Sequence, residues 1–305
     1  MRIGVDLGGT KIEVIALESD GQVLLRERAP TPGGDYEGTV RAVRDLVVAA
    51  ERRLGRTGTV GIATPGARST LTGRMKNCNS TALNGRPLDR DLEEALGRAV
   101  RLENDANCFA LSEAVDGAGA RARVVFGVIL GTGVGGGVVI ERRILTGRNH
   151  IAGEWGHNPL PWAQGAELAG EPCYCGRRGC IETFLSGAGL TREYARLGGV
   201  ARRAEEVVQA ATAGEPAAAA CLACYCDRLA RSLATVVNVL DPDVIVLGGG
   251  LSNVDALYAA LPVRMTRYVF SDGLDTPVLA PRHGDSSGVR GAAWLWPEDA
   301  GGAHP

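Results

Sequence analysis

Two stretches decide the fold: Ile3–Ile15, IGVDLGGTKIEVI, and Phe126–Ile140, FGVILGTGVGGGVVI. Each passes from a short β-branched segment through a turn too rich in glycine for a helix into a second β-branched segment, which is the pattern of a β-hairpin. They fall at similar distances from the starts of the two halves of the chain and read as an internal duplication, two related α/β lobes facing each other across a cleft. Gly131, Gly133 and Gly136 have formal G-x-G-x-x-G spacing, but a dinucleotide fingerprint opens a helix, and Gly137-Val138-Val139-Ile140 continues as a strand. No G-x-x-x-x-G-K-[ST] occurs, which excludes a P-loop.

Outward from the first hairpin, Gln22 to Arg28 adds a third strand. Asp35 opens a helix with Val40, Val43, Val47 and Ala50 at helical spacing. Gly58 to Ala63 is a strand ended by TPG, and a helix follows Asp89, with Leu88, Leu92 and Leu96 on one face and Gly97 as its stop. A short strand, Val100 to Glu103, leads into a helix from Asn104 to Val115. Beyond the second hairpin, Ala152 to Cys180 is rich in Pro, Gly, Trp and Cys and needs something other than regular structure to order it. Asp227 to Leu240 is helical, Asp243 to Leu247 is a buried strand, and S-N-V-D from Ser252 resembles a capping box. A final helix runs from Ser287 to Trp296 and stops at Pro297. The expected domains are 1–116 and 117–305, the last helix packing back on the first.

The 305 residues, 45% hydrophobic and 22% charged, fit an ordinary globular enzyme and exclude wholesale disorder, collagen and coiled coil. A formal charge of −2 gives no reason to expect nucleic acid or an anionic membrane as partner. The N-terminus lacks the apolar core of a secretory signal, so the expected setting is the reducing cytoplasm, where eight cysteines serve as ligands or small core residues. Of 33 basic residues only Lys11 and Lys76 are lysines. A retained ammonium marks a site that needs a compact point charge, unless it is retained by chance.

Four constellations carry chemistry. DLGGTK, Asp6 to Lys11, offers free backbone amides, a hydroxyl, an ammonium and a carboxylate for metal-bound water, the parts of a phosphate site, although a plain hairpin turn has the same spacing. GTGVGGG, Gly131 to Gly137, reads as a second phosphate-gripping hairpin with donors at Thr132 and Gly133. Asp105 begins a helix after a strand. Spacing alone favours a helix cap there, and the sharper role is a general base facing a cleft. His157, Cys173, Cys175 and Cys180 supply one imidazole and three thiolates, the donor set of a closed structural Zn²⁺ site, with Gly176 and Gly179 to turn the chain around the ion. A four-ligand shell leaves no position for hydrolytic chemistry, so such a metal orients its surroundings, with Glu154 beside His157 and Glu182 just past Cys180. Cys221, Cys224 and Cys226 lie in an Ala-rich helix and read as small core residues.

DLGGTK, the Asn104-Asp105 pair, GTGVGGG, E-x-G-H from Glu154, C-x-C-G-x-x-G-C-x-E from Cys173 and DPDVIVLGGG from Asp241, in this order, resemble the ROK sugar kinases across nearly the whole chain. The segments NCNSTALNG, GEWGHNPLPW, EPCYCG and HGDSSGVRGAAWLWP are most similar to the bacterial fructokinases of that family. The resemblance implies an α/β fold of the actin-like ATPase (ribonuclease H-like) class, two duplicated domains around a cleft, and ATP-dependent 6-phosphorylation of D-fructose with Mg²⁺ and structural Zn²⁺. Carried over by position, Asp105 is the catalytic base, and Asn79, Asn104, Glu154, His157 and Glu182 hold the sugar. Asp6, Gly8, Gly9, Thr10, Lys11, Thr132, Gly133, Gly135 and Gly136 grip the phosphates, Gly248 and Gly249 lie by the nucleotide, and His157, Cys173, Cys175 and Cys180 bind zinc. A cytoplasmic homodimer is expected. The alternatives are a ROK kinase of mannose, glucose or N-acetylglucosamine, or a sugar-sensing ROK regulator. The regulator is disfavoured because the first strand starts at Arg2, the charge is not basic and the base is present.

Overall fold

The computed structural model describes residues 1–78, 80–284 and 287–297. The first half contains β1 (Arg2–Leu7), β2 (Lys11–Leu17), β3 (Val23–Pro30), α1 (Tyr36–Leu54), β4 (Thr59–Thr64), the two-residue β5 (Ala67–Arg68) and β6 (Met75–Lys76), α2 (Leu88–Leu96), β7 (Val100–Asn104) and α3 (Asp105–Val115). The second contains β8 (Val124–Leu130), β9 (Val134–Ile140), β10 (Arg143–Ile144), α4 (Ile181–Leu185), α5 (Gly187–Arg196), α6 (Ala204–Thr212), α7 (Pro216–Leu240), β11 (Val244–Gly248), α8 (Asp255–Met265), β12 (Val278–Leu279) and α9 (Ser287–Ala293).

The two five-stranded sheets have orders β3-β2-β1-β4-β7 and β10-β9-β8-β11-β12. Position by position these are the same arrangement, each led by one of the glycine hairpins, and the duplication read from the sequence is therefore one of topology as well. In the first sheet β1 pairs antiparallel with β2, Val5 opposite Val14, and parallel with β4, Val5 opposite Ile62. Two contact units result. One comprises Met1–Ala120, Gly137–Ala152 and the C-terminal segment carrying α9, and the other Arg121–Gly136 and Gly153–Gly284. The division is thus not a single cut near residue 116. Among the described residues no single helix is long and apolar enough to cross a membrane.

In the first unit the sheet is covered on both faces. Asp35 caps α1 by accepting the Gly38 amide at 2.8 Å, and Gly55, left-handed at φ 63°, ends it. Val43, Val47 and Ala50 are fully buried in one cluster with Val5, Ile62, Leu88 and Leu92. Each such valine contributes about 1.5–3 kcal/mol of transfer free energy. Val289, Ala292 and Ala293 of α9 pack with Ile15, Leu17, Ala63 and Cys108. The approach is so close that a Cβ on Gly61 would lie 1.9 Å from the Ala292 carbonyl oxygen. The Arg290 guanidinium bonds Asp116, Nε to Oδ2 at 2.8 Å, and the Ser287 hydroxyl donates to Glu113 at 2.7 Å, so polar pairs fix the register of this helix.

In the second unit β8, β11 and β12 run parallel, and α7 lies along the core with Leu229, Leu233 and Ala234 fully buried. Cys221 and Cys226 are buried in α7 and Cys224 is half-buried, in keeping with small core residues. The S-N-V-D expectation fails. Helix α8 is preceded by Val254 with no side-chain cap, and the Ser252 hydroxyl instead donates to the Gly249 carbonyl at 2.7 Å. An intervening turn over Gly250–Asn253 moves the helix start three residues beyond Ser252, out of reach of its hydroxyl.

Candidate active site

Each unit carries a set of polar groups on the turns that end its strands. In the first, the β1–β2 turn closes with the Gly8 amide donating to the Lys11 carbonyl at 3.0 Å and leaves Gly9, Thr10 and Lys11 exposed. Asp6 sits beneath it at the end of β1. Burial, then the carboxylates of Asp105 and Glu13, push the Asp6 carboxyl up to about 6, with Lys11 opposing. A half-buried acid crowded by other carboxylates is costly when ionised unless a cation joins it.

A raised folded-state pKa means that the stability contributed by the protonated form is present below the unfolded value, 3.8, and is lost as pH rises through about 6. Asp6→Asn is therefore expected to melt a few degrees above wild type at pH 8, a gain of about 3 kcal/mol at 1.36 kcal/mol per unit, with about half of that gain left at pH 5 and little below 3.8. The expected loss of activity in the same variant separates function from stability. Melting curves of the ligand-free proteins across this range check it, and a variant no more stable at pH 8 contradicts it.

The β7–α3 junction shows which residue of the Asn104-Asp105 pair caps the helix. Asn104 is the cap: its Oδ1 accepts the Ala106 amide at 2.9 Å and the Asn107 amide at 3.4 Å, while its Nδ2 donates to the Gly66 carbonyl at 3.1 Å. Asp105 is the first helical residue and is exposed, with Oδ1 accepting the Ala106 amide at 2.8 Å. The cap that spacing assigned to Asp105 thus falls one residue earlier, on Asn104. Asn79 lies outside the described residues.

In the second unit the β8–β9 turn is closed by the Gly131 amide on the Gly133 carbonyl at 3.0 Å, with Thr132 exposed at its tip. Glu182, at the start of α4, accepts the Val134 amide through Oε2 at 3.0 Å, and a Cβ on Gly133 would lie 2.6 Å from the same oxygen. The carboxylate is thereby tied to the glycine hairpin. Gly135 and Gly136 do something else. Gly136 is buried, a Cβ there would strike the Trp155 ring at 2.8 Å, and the Gly135 carbonyl accepts the Trp155 Nε1 hydrogen at 2.9 Å. Their first role is to seat Trp155, between Glu154 and His157. Gly248 is buried at the end of β11, and Gly249 follows it at φ 80°.

The segment Ala152 to Cys180 is ordered by two devices. The anticipated one is the cluster of His157, Cys173, Cys175 and Cys180, whose ligand atoms all lie within 4.8 Å of one another. Cys175 and Cys180 sulfurs are 3.6 Å apart, and His157 Nδ1 is 3.5 Å from the Cys173 sulfur. Zinc bonds of about 2.3 Å to sulfur and 2.0–2.1 Å to nitrogen span tetrahedral edges of about 3.6–3.8 Å, so the four donors fit the ion. Burial pushes the Cys173 thiol up and the Cys180 thiol up to about 12, whereas the Arg177 amide draws Cys175 down. A cation is what would convert such buried thiols to thiolates. The second device, missed in the sequence, is a buried ion-pair cluster. Arg231, 1% exposed, binds both oxygens of Glu167 at 2.9–3.0 Å and donates to the carbonyls of Pro161 and Trp162 at 3.0 and 2.7 Å. Arg228 joins Glu167 at 2.7 Å.

With Nδ1 of His157 turned to the sulfurs, Nε2 points outward and lies 3.0 Å from the Tyr174 hydroxyl. Glu154 is exposed and Glu182 half-buried near the same exposed phenol. The groups gathered here, two carboxylates and an imidazole held by a cluster of cysteines that could take a metal, suit hydroxyl recognition, and those of the first unit suit phosphates and a proton acceptor.

Duplicated sheets of this order, led by glycine hairpins, define an actin-like ATPase fold of two α/β domains. The ROK family model matches residues 2–299, and the chain belongs to that family. N-acetyl-D-glucosamine kinase of Vibrio cholerae is 42% identical over 97% of this chain and 99% of its own, and the enzyme of that name from Escherichia coli is 41% identical over 97% and 99%. Among solved structures, the ROK hexokinase of Thermus thermophilus aligns with a TM-score of 0.85 at 33% identity over 96% of both chains. A ROK glucokinase of Streptomyces griseus, in complex with glucose and AMPPNP, aligns at 0.77 and 28% identity over 96% and 97%.

These likenesses overturn the fructokinase expectation. Four short segments suggested it, and two of them build general scaffold: EPCYCG forms part of the metal cluster and HGDSSGVRGAAWLWP contains α9. Identity of 40–42% along 97% of the chain to N-acetylglucosamine kinases outweighs them.

Proposed function

We propose that the protein is an ATP-dependent hexose kinase that phosphorylates the 6-hydroxyl of N-acetyl-D-glucosamine in the cytoplasm. The observation that carries this reading is the pairing, in one chain, of an exposed aspartate at a strand-to-helix junction beside a phosphate hairpin with a metal-anchored carboxylate–imidazole set, in a sequence 42% identical to kinases of that sugar.

In this reading Asp105 accepts the proton of the 6-hydroxyl as its oxygen attacks the γ-phosphorus, and the bond to the β-phosphate oxygen breaks to release ADP. The hairpins at Gly8–Lys11 and Thr132–Gly133 supply backbone amides, hydroxyls and one ammonium to the phosphates. Bound Mg²⁺ would neutralise charge on the phosphates, with Asp6 holding its water. Glu154, His157 and Glu182 hold the sugar hydroxyls, and Asn104 keeps one amide hydrogen for the sugar besides its bond to Gly66. His157, Cys173, Cys175 and Cys180 would hold zinc, which would fix the imidazole ring and leave bond making to the other groups.

A coupled ADP-release assay over N-acetylglucosamine, glucose, mannose and fructose tests the reading. N-acetylglucosamine is expected to give the highest kcat/KM, by about tenfold or more over fructose, since a site built around a polar substituent rejects sugars that leave its groups unpaired. A best substrate other than N-acetylglucosamine contradicts the sugar, and no ADP release with any hexose contradicts the kinase.

A further inference from the structure

We propose that Arg231 and Glu167 are positioning residues for the cluster of His157, Cys173, Cys175 and Cys180: they clamp the two arms of the loop that carries the four ligands and hold it near its metal-binding spacing before an ion arrives. All of these residues lie in one contact unit. Beside His157 the first arm runs along the end of the second. The Leu160 amide donates to the Gly179 carbonyl and the Ile181 amide to the Asn158 carbonyl, both at 2.9 Å, and Pro159 bridges antiparallel to Cys180. Gly170 lies against the same turn, since a Cβ on it would come 2.7 Å from the Gly179 nitrogen.

Arg231 acts where the two arms part. Its Nη1 donates to the carbonyls of Pro161 and Trp162, the exit of the first arm, and to Oε2 of Glu167 at 3.0 Å. Glu167 heads the second arm in the short turn Gly165–Ala169, where Oε2 also accepts the Gln164 amide at 3.1 Å and the Glu167 carbonyl accepts the Gly170 amide at 3.0 Å. One guanidinium on α7 thus ties the exit of one arm to the entry of the other. Trp162 is left-handed at φ 47°, a conformation that a bulky residue holds only when its surroundings impose it. Here its carbonyl is bound by Arg231, and its ring lies on Tyr268, centroids 5.2 Å apart, whose hydroxyl donates at 3.2 Å to Asp227, one turn before Arg231 on the same helix. An ion pair buried to 1% and 8% exposure loses much of its Coulomb gain to desolvation, so net stability is a poor account of it. Its place at the base of the loop gives it a geometric role. Ordering a flexible loop would consume binding free energy of the ion, and a loop already held spares that cost. The inference rests on the metal-site reading of the cluster.

The test is zinc affinity of the full-length protein, measured by competition with a chromophoric chelator. Arg231→Lys keeps the charge, but a single ammonium cannot serve two carbonyls and a carboxylate as the planar fork does. Glu167→Gln keeps the size and removes the charge. Each is expected to weaken zinc binding by about tenfold or more, the scale on which partners outside the ligand shell act. The double variant is expected to lose little more than the worse single one, since residues of one clamp are not additive. Leu257→Val, at a fully buried position of α8 in the same unit, is the control: it lowers the melting temperature and leaves zinc affinity within about twofold. Unchanged affinity in both single variants, fully additive losses in the double variant, or an equal loss in Leu257→Val overturns the inference. Failure of both single variants to fold also overturns it, since the pair would then be part of the core. Wild type that binds no zinc defeats the metal-site reading itself, whereas tight zinc in wild type with unmoved variants defeats only the clamp.

Discussion

Under the proposed mechanism Asp105→Asn is expected to lower kcat by about 100-fold or more and to leave sugar affinity within a few-fold, because the change removes the proposed proton acceptor. The amide has the size of the carboxylate and can still accept the Ala106 amide hydrogen, a bond now 2.8 Å long. Helix α3 keeps its cap, since that function belongs to Asn104. Folding is therefore expected to be intact, and a melting temperature no lower than that of wild type makes the kinetic result interpretable. Relief of carboxylate repulsion adds a second mark. Asp105 is the largest charged contributor raising Asp6, so in the variant the Asp6 carboxyl titrates lower. Steady-state kinetics with binding by calorimetry checks the first effect, and an active Asp105→Asn enzyme with normal sugar affinity contradicts the assignment of the base.

Removal of the metal is the second large effect. One zinc per chain is expected in protein purified without chelator. Stripping it, or Cys175→Ser, should lower the melting temperature by about 10 °C, since a structural ion contributes its binding free energy to folding. The same change releases Nδ1 of His157 from the cluster that aims the ring. KM for the sugar should rise about tenfold or more, and KM for ATP about twofold at most, because second-shell orientation acts on the sugar groups alone. Mg²⁺ remains required in either protein. Metal analysis alongside kinetics decides this, and zinc-free protein with normal stability and normal sugar KM contradicts it.

What the sequence made legible was whatever depends on neighbours in the chain. The hairpins at Gly8–Lys11 and Gly131–Gly133 are local turns between β-branched runs, and Asp35 and Gly97 are local helix signals, so each could be read from a dozen residues. The Cys173–Cys180 knuckle is local too, with a single distant partner in His157. What escaped depends on separation. The Arg231–Glu167 pair that orders the excursion joins residues 64 positions apart, and nothing in either neighbourhood announces it. The seating of Trp155 by Gly135 and Gly136 was not legible either, because a glycine that admits an anion and one that admits an indole are the same in sequence. Ser252 failed as a cap because a turn of four residues, Gly250–Asn253, cannot be told from the first turn of a helix by its hydroxyl and acid alone. Sugar choice was the least legible, since the motifs shared across sugar kinases are silent on it.

The most direct test of the proposed reaction is to follow the product itself. Wild-type protein is incubated with ATP, Mg²⁺ and uniformly carbon-13-labelled N-acetyl-D-glucosamine, and carbon and phosphorus NMR spectra are recorded. Transfer to the 6-hydroxyl predicts a phosphomonoester resonance coupled to carbon 6 and one ADP formed per sugar. Phosphate on another carbon, or ADP formed without a phosphorylated sugar, would contradict it.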